Sequence, residues 1–333
     1  MILAGDVGGT KSQLALYELV GGELRARREQ IFPCADFPSL EAILDVFLRE
    51  RDPEALVGAC FGVAGPVVDG IAKITNLPWT IDTKAVTARL RGAPVTLIND
   101  LQATALGMLV LPADKFCVLQ EATAPAPGGT IAVIAPGTGL GEAFLGSDRH
   151  GRYRAFPSEG GHADFAPGTE EEIELLRFLR KRYGHHVSYE RVLSGAGIGD
   201  LYDFVRGTRG DHEPAWLAAK FAQFDRNAVV SEVALAKTDE ACMRALAMFA
   251  EILGAEAGNL ALRSLASAGV VIGGGIPPKV LPALQAGGLM QRFNDKGRFE
   301  KWTRTISVRV ALEPRAALLG AAHYVATSKD QRA

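Results

Sequence analysis

Two polar clusters in this chain carry side chains suited to handling hydroxylated ligands. Asn99 and Asp100 stand directly after the apolar run 95–98 and before a helical pattern that starts near Leu101. Both side chains therefore lie at a strand's carboxyl end, where α/β folds build their sites. Asp100 either caps the helix that follows or acts as a carboxylate general base that takes a proton from an attacking hydroxyl. The second cluster, Glu159-Gly160-Gly161-His162, sits in a glycine turn with Asp164 two residues on, and Glu190 follows in Tyr189-Glu190-Arg191-Val192-Leu193-Ser194-Gly195. Each carboxylate can accept from two adjacent hydroxyls, and a neutral imidazole can donate or accept one hydrogen bond, which suits a polyhydroxyl ligand. His162 with Asp164 could instead ligate a cation, but no second histidine or cysteine adjoins them in the sequence.

These clusters are set among three glycine-rich turns, each preceded by an apolar strand: Asp6-Val7-Gly8-Gly9-Thr10-Lys11, Gly137-Thr138-Gly139-Leu140-Gly141 and Gly273-Gly274-Gly275-Ile276. Glycine removes the Cβ that would hold an anion away and permits positive φ, so successive N–H groups can converge on phosphate oxygens. Apolar residues on both sides of the first two turns predict β-hairpins rather than strand-to-helix loops. The three turns fall at similar intervals, which suggests two related halves closing on one nucleotide. Neither a dinucleotide-binding Gly-x-Gly-x-x-Gly nor a P-loop Gly-Lys-Ser/Thr is present. No covalent nucleophile stands out, and Ser158 and Ser194 read as turn residues.

The elements that must position these groups follow from pattern. Residues 1–110 read as strands at 2–4, 14–17, 57–63, 71–74 and 95–98, with an amphipathic helix after Ser39 whose apolar stripe is Leu40, Ile43, Leu44, Phe47 and Leu48. Residues 111–315 are expected to form a larger, more helical α/β domain. It opens a helix with a capping box of Thr169 and Glu172, and it contains a long helix over about 239–262. A helix from 316 within the segment 316–333 is expected to return to the first domain. The 333 residues, 48% of them hydrophobic, suffice for two cores, and 36 basic against 38 acidic residues argue against a nucleic-acid or membrane surface. Cys34, Cys60, Cys117 and Cys242 form no paired motif and are expected to be reduced and packed. The early strand leaves no room for a leader peptide, so a cytoplasmic location is expected.

Taken together and in this order, the motifs resemble those of the bacterial glucokinases of the sugar kinase, actin and chaperone ATPase superfamily. The resemblance covers nearly the whole chain and rests on Gly5 to Thr10, Ile98-Asn99-Asp100, the turn at Gly137, the run from Glu159 through Pro167, Glu190 to Gly195, and the turn at Gly273. It implies a two-lobed ribonuclease-H-like (actin-like ATPase) sugar kinase fold with the active site in the interlobe cleft. ATP with Mg²⁺ on the larger lobe and D-glucose as acceptor follow from the same likeness, as does a homodimer. Under it, Asp100 deprotonates the sugar 6-hydroxyl, while Asn99, Glu159, His162 and Glu190 hold other hydroxyls. Gly8, Gly9, Thr10 and Gly137, Thr138, Gly139 bind phosphates, Gly274 and Gly275 approach the adenosine, and Asp6 faces the metal through water.

Two departures bear on that likeness. Lys11 stands where many such enzymes carry Asn, and either touches a phosphate or points to solvent. The cysteine-rich zinc motif of the related repressor, open-reading-frame and kinase group is absent from residues 163–169. Other acceptors (mannose or fructose) and polyphosphate as donor are the alternatives within kinases. A non-catalytic sugar-sensing regulator would need a DNA-reading module for which the sequence offers no place, and a lobe-moving ATPase would leave the polar clusters without a ligand.

Overall fold

The computed structural model describes residues 1–49, 56–74, 77–210 and 212–328. They divide into two compact units, Met1–Ala113 with Arg152–Pro157 and Glu313–Ala333, and Asp114–Gly151 with Ser158–Leu312. Residues 152–157 thus belong to the first unit rather than to the larger domain expected to hold them. Residues 329–333 of the expected returning segment lie outside the described residues.

The first unit is built on a five-stranded sheet in the order Glu23–Pro33, Lys11–Val20, Ile2–Val7, Gly58–Val63, Val95–Asn99. Ile2–Val7 runs antiparallel to Lys11–Val20, as the flanking apolar residues predict, and parallel to Gly58–Val63. One face of this sheet packs Leu3, Val7, Leu14, Phe61 and Val63 against the helix Leu40–Leu48, whose N-cap Ser39 accepts from Ala42 N. Helices Asp100–Met108 and Ala316–Ser328 pack on each other. They approach so closely that a Cβ on Gly320 would overlap the Ala103 carbonyl oxygen, and one on Gly107 would overlap that of Ala316.

The second unit repeats the pattern. Ile131–Pro136 pairs antiparallel with Leu140–Ser147 across the second glycine turn and parallel with Gly269–Ile272, which pairs parallel with Val308–Ala311. Phe116–Gln120 closes that edge. The repeated hairpin and parallel strands bear out the expectation of two related halves. The helix Glu240–Ser264 has the length and apolar character to cross a membrane, yet 72% of its most apolar window is buried within the unit. It is a core helix, capped by Asp239 through Cys242 N.

One local expectation needs correction. Thr169 caps its helix, but Glu172 does not complete a capping box: its Oε2 accepts from Gly168 N at 2.6 Å and from Arg292 Nη2 at 3.0 Å. The carboxylate is shared between the amide one residue before the cap and the half-buried Arg292 guanidinium, a charge-assisted partner that the cap N–H does not match. Cys117 is free and half-buried, packed against the core of the second unit as expected, and accepts from Gln285 Nε2 at 3.3 Å.

The helix contact is the sharpest steric constraint in the first unit. Gly320→Ala should destabilise the protein by at least about 2 kcal/mol, from forced overpacking. Gly207→Ala, at an exposed helical position with open space around it, should stabilise by up to about 1 kcal/mol. Urea unfolding of both variants checks this, and a harmless Gly320→Ala would contradict it.

Candidate functional site

In the first unit the site is assembled at the ends of neighbouring strands. Asp6 lies beside Gly62 in the parallel register. Gly62 in turn has no room for a Cβ, which would come within 2.7 Å of the Ala103 Cβ and 3.7 Å of the Asp100 Cα. The missing side chain lets the helix that begins at Asp100 settle against the sheet, and it brings the carboxylates of Asp6 and Asp100 into electrostatic contact. Asn99, not Asp100, caps this helix: its Oδ1 accepts from Leu101 N at 2.8 Å, and Gln102 Oε1 accepts from Asn99 N at 3.2 Å. Gln102 Nε2 also donates to Ala155 O at 3.0 Å, fixing residues 152–157 to the helix start. Asp100 Oδ1 accepts from Leu101 N at 2.9 Å and occupies the first helical turn, where the helix dipole favours an anion.

The Gly8 turn is closed by Gly8 N donating to Lys11 O at 3.1 Å. It is supported from below by residues the sequence had not singled out. Cys34 Sγ donates to Gly8 O at 3.4 Å and lies 3.2 Å from Ser12 Oγ, while Cys34 N donates to Thr10 O at 2.9 Å. Gly8 and Gly9 are half-buried, whereas Thr10 and Lys11 are exposed.

The second unit gathers the remaining residues around the start of one strand. Gly137 N donates to Gly139 O at 2.8 Å, and Gly195 N donates to Gly137 O at 2.9 Å. Glu190 Oε2 accepts from Leu140 N at 3.0 Å, and a Cβ on Gly139 would overlap that same oxygen. Gly274 has φ +88°, and its Cβ would overlap Pro136 O, so it folds over the end of the strand before Gly137. Among the glycines of the three turns only Gly274 takes positive φ. At Gly139 the missing Cβ makes room for a neighbouring group rather than for unusual backbone, so positive φ is not the general reason for these glycines. Thr138 lies in the Gly137–Gly139 turn, and Gly275 N is 4.0 Å from the Cβ position of Gly137.

Gly161 presses on Leu140 from the other side, its Cβ position overlapping the Leu140 carbonyl. Within the turn, Ser158 Oγ accepts from Gly160 N at 3.0 Å, and Glu159 and His162 project outward with side chains 79% and 60% exposed. His162 Nε2 is 3.9 Å from Glu159 Oε2. A second histidine does sit nearby in space. His186 bridges Asp164 Oδ1 at 2.9 Å and His162 O at 3.1 Å, so Asp164 serves to hold His186. Segment 163–165 pairs with 187–189 through Phe165 N to Val187 O and Tyr189 N to Ala163 O. The turns bearing Glu159, His162 and Glu190 are thereby tied together. Ser194 caps the helix Gly195–Arg209 through Gly197 N, a turn role as expected.

Among the described residues no group of three His, Cys, Asp or Glu side chains could hold a metal. Burial pushes the Asp6 carboxyl up to about 6, with Asp100 adding to the rise and Lys11 opposing it. A single half-buried carboxylate with a like charge beside it suits a hard cation carried largely by phosphate and water, the usual habit of Mg²⁺.

A Glucokinase family model matches residues 3–328. The chain is 39% identical to a glucokinase of Synechocystis sp. over 98% of both chains. The crystal structure of a glucokinase from an Antarctic psychrotroph superposes with a TM-score of 0.85 at 31% identity, covering 98% of each chain. A ROK family glucokinase from Streptomyces griseus in complex with glucose and AMPPNP shares the fold, with a TM-score of 0.62 at 21% identity over 96% of this chain and 97% of that one.

The Asp6 environment has a consequence for stability. Its carboxyl titrates near 6 when folded against 3.8 when unfolded, so its contribution is full below 3.8 and is lost as pH rises through 6. Asp6→Asn cannot ionise. In calorimetry without ligands it should match the parent near about pH 4 and exceed it near about pH 7.5 by roughly 1–3 kcal/mol. No gain at the higher pH would contradict the cost assigned to burying this carboxylate beside Asp100.

Proposed function

The chain belongs to the glucokinase family, and on that premise we propose that it transfers the γ-phosphoryl group of ATP to the 6-hydroxyl of D-glucose, giving glucose 6-phosphate and ADP. This is the entry step of glycolysis. The observation that supports the residue roles is the placement of Asp100 at a helix start, next to the Asn99 cap and beside the carboxylate of Asp6, which lies near the end of the strand leading into the Gly8 turn.

In this reading Asp100 is the catalytic base that accepts the proton of the 6-hydroxyl as that oxygen attacks phosphorus. Asp100 lies in the first turn of its helix, where the backbone dipole favours negative charge. Asn99 divides its amide: the oxygen is committed to Leu101 N, so the NH₂ donates to a sugar hydroxyl. Glu190 is divided likewise, with Oε2 on Leu140 N and Oε1 left to accept from the sugar. Glu159 and His162 hold further hydroxyls from one turn. The turns Gly8, Gly9, Thr10 and Gly137, Thr138, Gly139 bind phosphates, with the N–H groups of Gly8 and Gly137 closing their own turns, Lys11 adds positive charge, and Gly274 with Gly275 pack against the adenosine. Asp6 would hold Mg²⁺ through water, and the ion, when bound, neutralises charge on the β- and γ-phosphates. Such a transfer asks for positioning and charge neutralisation rather than a covalent nucleophile. A homodimer in the cytoplasm completes the reading implied by the family resemblance, and sedimentation analysis would check the assembly.

The test is formation of sugar 6-phosphate from ATP across glucose, mannose, fructose, galactose and N-acetylglucosamine, with polyphosphate as an alternative donor. Glucose with ATP should be preferred. Asp100→Asn should lower kcat by about 10²–10⁴-fold while the dissociation constant for glucose changes far less. Retained turnover would remove Asp100 from the role of base.

A further inference from the structure

Beneath the sugar turn lies a pair of buried acids that the proposed mechanism does not use. Glu142 is 1% exposed and Glu256 is fully buried. Neither oxygen of Glu142 meets a hydrogen-bond donor. The group facing it is Glu256, close enough for a hydrogen bond between the two carboxyl groups. Two carboxylates cannot both be charged here at low cost, whereas one proton between them satisfies both. The surroundings favour this. Glu256 accepts from Arg263 Nη2 and, at 3.0 Å, from Asn259 Nδ2, so its lone pairs are engaged as an acceptor. Arg263 remains 3.7 Å from Glu142.

The pair touches both segments assigned to the sugar. A Cβ on Gly160 would overlap Glu142 Oε2, so that oxygen lies directly under the backbone between Glu159 and His162. Asn259, bonded to Glu256, also donates to Tyr189 Oη at 3.2 Å, next to Glu190. We propose that Glu142 is a positioning residue for sugar binding: a proton held between its carboxyl and Glu256 fixes the Gly160–His162 turn, and loss of that proton displaces the turn and weakens glucose binding. The inference rests on the reading of Glu159, His162 and Glu190 as sugar ligands.

Burial holds the proton on Glu142 well above the usual carboxylate range, Glu256 adds to the rise, and Arg263 opposes it. Other titratable groups face Glu256 rather than Glu142. Tyr189, itself pushed up by burial, stays neutral, and Lys296 acts on Glu256 from the loop after helix Gly288–Asn294. With the proton gone, two buried carboxylates repel and Glu142 is driven toward Gly160.

The experiment is the pH dependence of KM for glucose, KM for ATP and kcat between about pH 6 and about pH 9.5, in the parent, Glu142→Gln and Glu256→Gln. In the parent, KM for glucose should climb at alkaline pH toward the limit of about tenfold per unit, while KM for ATP changes much less. Glu142→Gln keeps a permanent donor toward Glu256, so its KM for glucose should stay within about threefold of the parent's neutral value throughout. Glu256→Gln removes the repelling charge and should flatten the rise as well, which keeps the test decisive should Glu142→Gln not fold. A parent-like alkaline rise in either folded variant, or a parent profile without a rise, overturns the inference and leaves the proposed function standing. Absence of glucose phosphorylation at any pH overturns both.

Discussion

The hydrogen bond from Leu140 N to Glu190, at 3.0 Å, is the contact on which the second unit's site depends. Leu140 is the first residue after the Gly137–Gly139 turn, and its strand begins there. Its amide fixes Glu190, its carbonyl lies under Gly161, and Glu142, two residues on, lies under Gly160. One strand start therefore adjoins the Gly137–Gly139 turn on one side and positions the Glu159–His162 and Glu190 turns on the other. Side chains at Gly139, Gly160 or Gly161 would each break this arrangement by steric overlap. Gly161 is required for space against the Leu140 backbone, whereas a side chain at Gly139 or Gly160 would push Glu190 or Glu142 from its place.

The first unit meets a parallel requirement with different residues. Gly62 opens the sheet to the helix that begins at Asp100, while Gly107 and Gly320 let the helix Ala316–Ser328 clamp it from behind. The helix start is thereby held against the sheet and the Gln102–Ala155 bond. The cost is visible in Asp6, whose carboxyl is destabilised by burial and by Asp100.

Much of this was legible in the sequence because it is local. Apolar residues on both sides of a glycine turn announce a hairpin, and both hairpins formed. A polar pair after an apolar run announces a strand's end, and Asn99 and Asp100 lie at one. What remained hidden is long-range. The support of the Gly8 turn by Cys34 joins residues 26 apart, and the bond from Glu190 to Leu140 joins residues 50 apart. His186 had no motif around it, yet it ties Asp164 to His162. Glu142 read as an ordinary strand residue, and nothing nearby in sequence revealed that its oxygens would face Glu256. The Thr169–Glu172 spacing gave a correct cap and a wrong partner, because Glu172 accepts from Gly168 N, one residue before the cap, and from Arg292, 120 residues away. Register and burial decide such contacts, and periodicity reports neither.

The most direct measurement of the account is amide hydrogen exchange of the protein with and without glucose, in the absence of nucleotide. If the strand start at Leu140 joins the sugar turns to the phosphate turn, glucose alone should raise protection together in residues 137–142, 158–162 and 189–191. Protection confined to 158–162 and 189–191, with 137–142 unchanged, would contradict it.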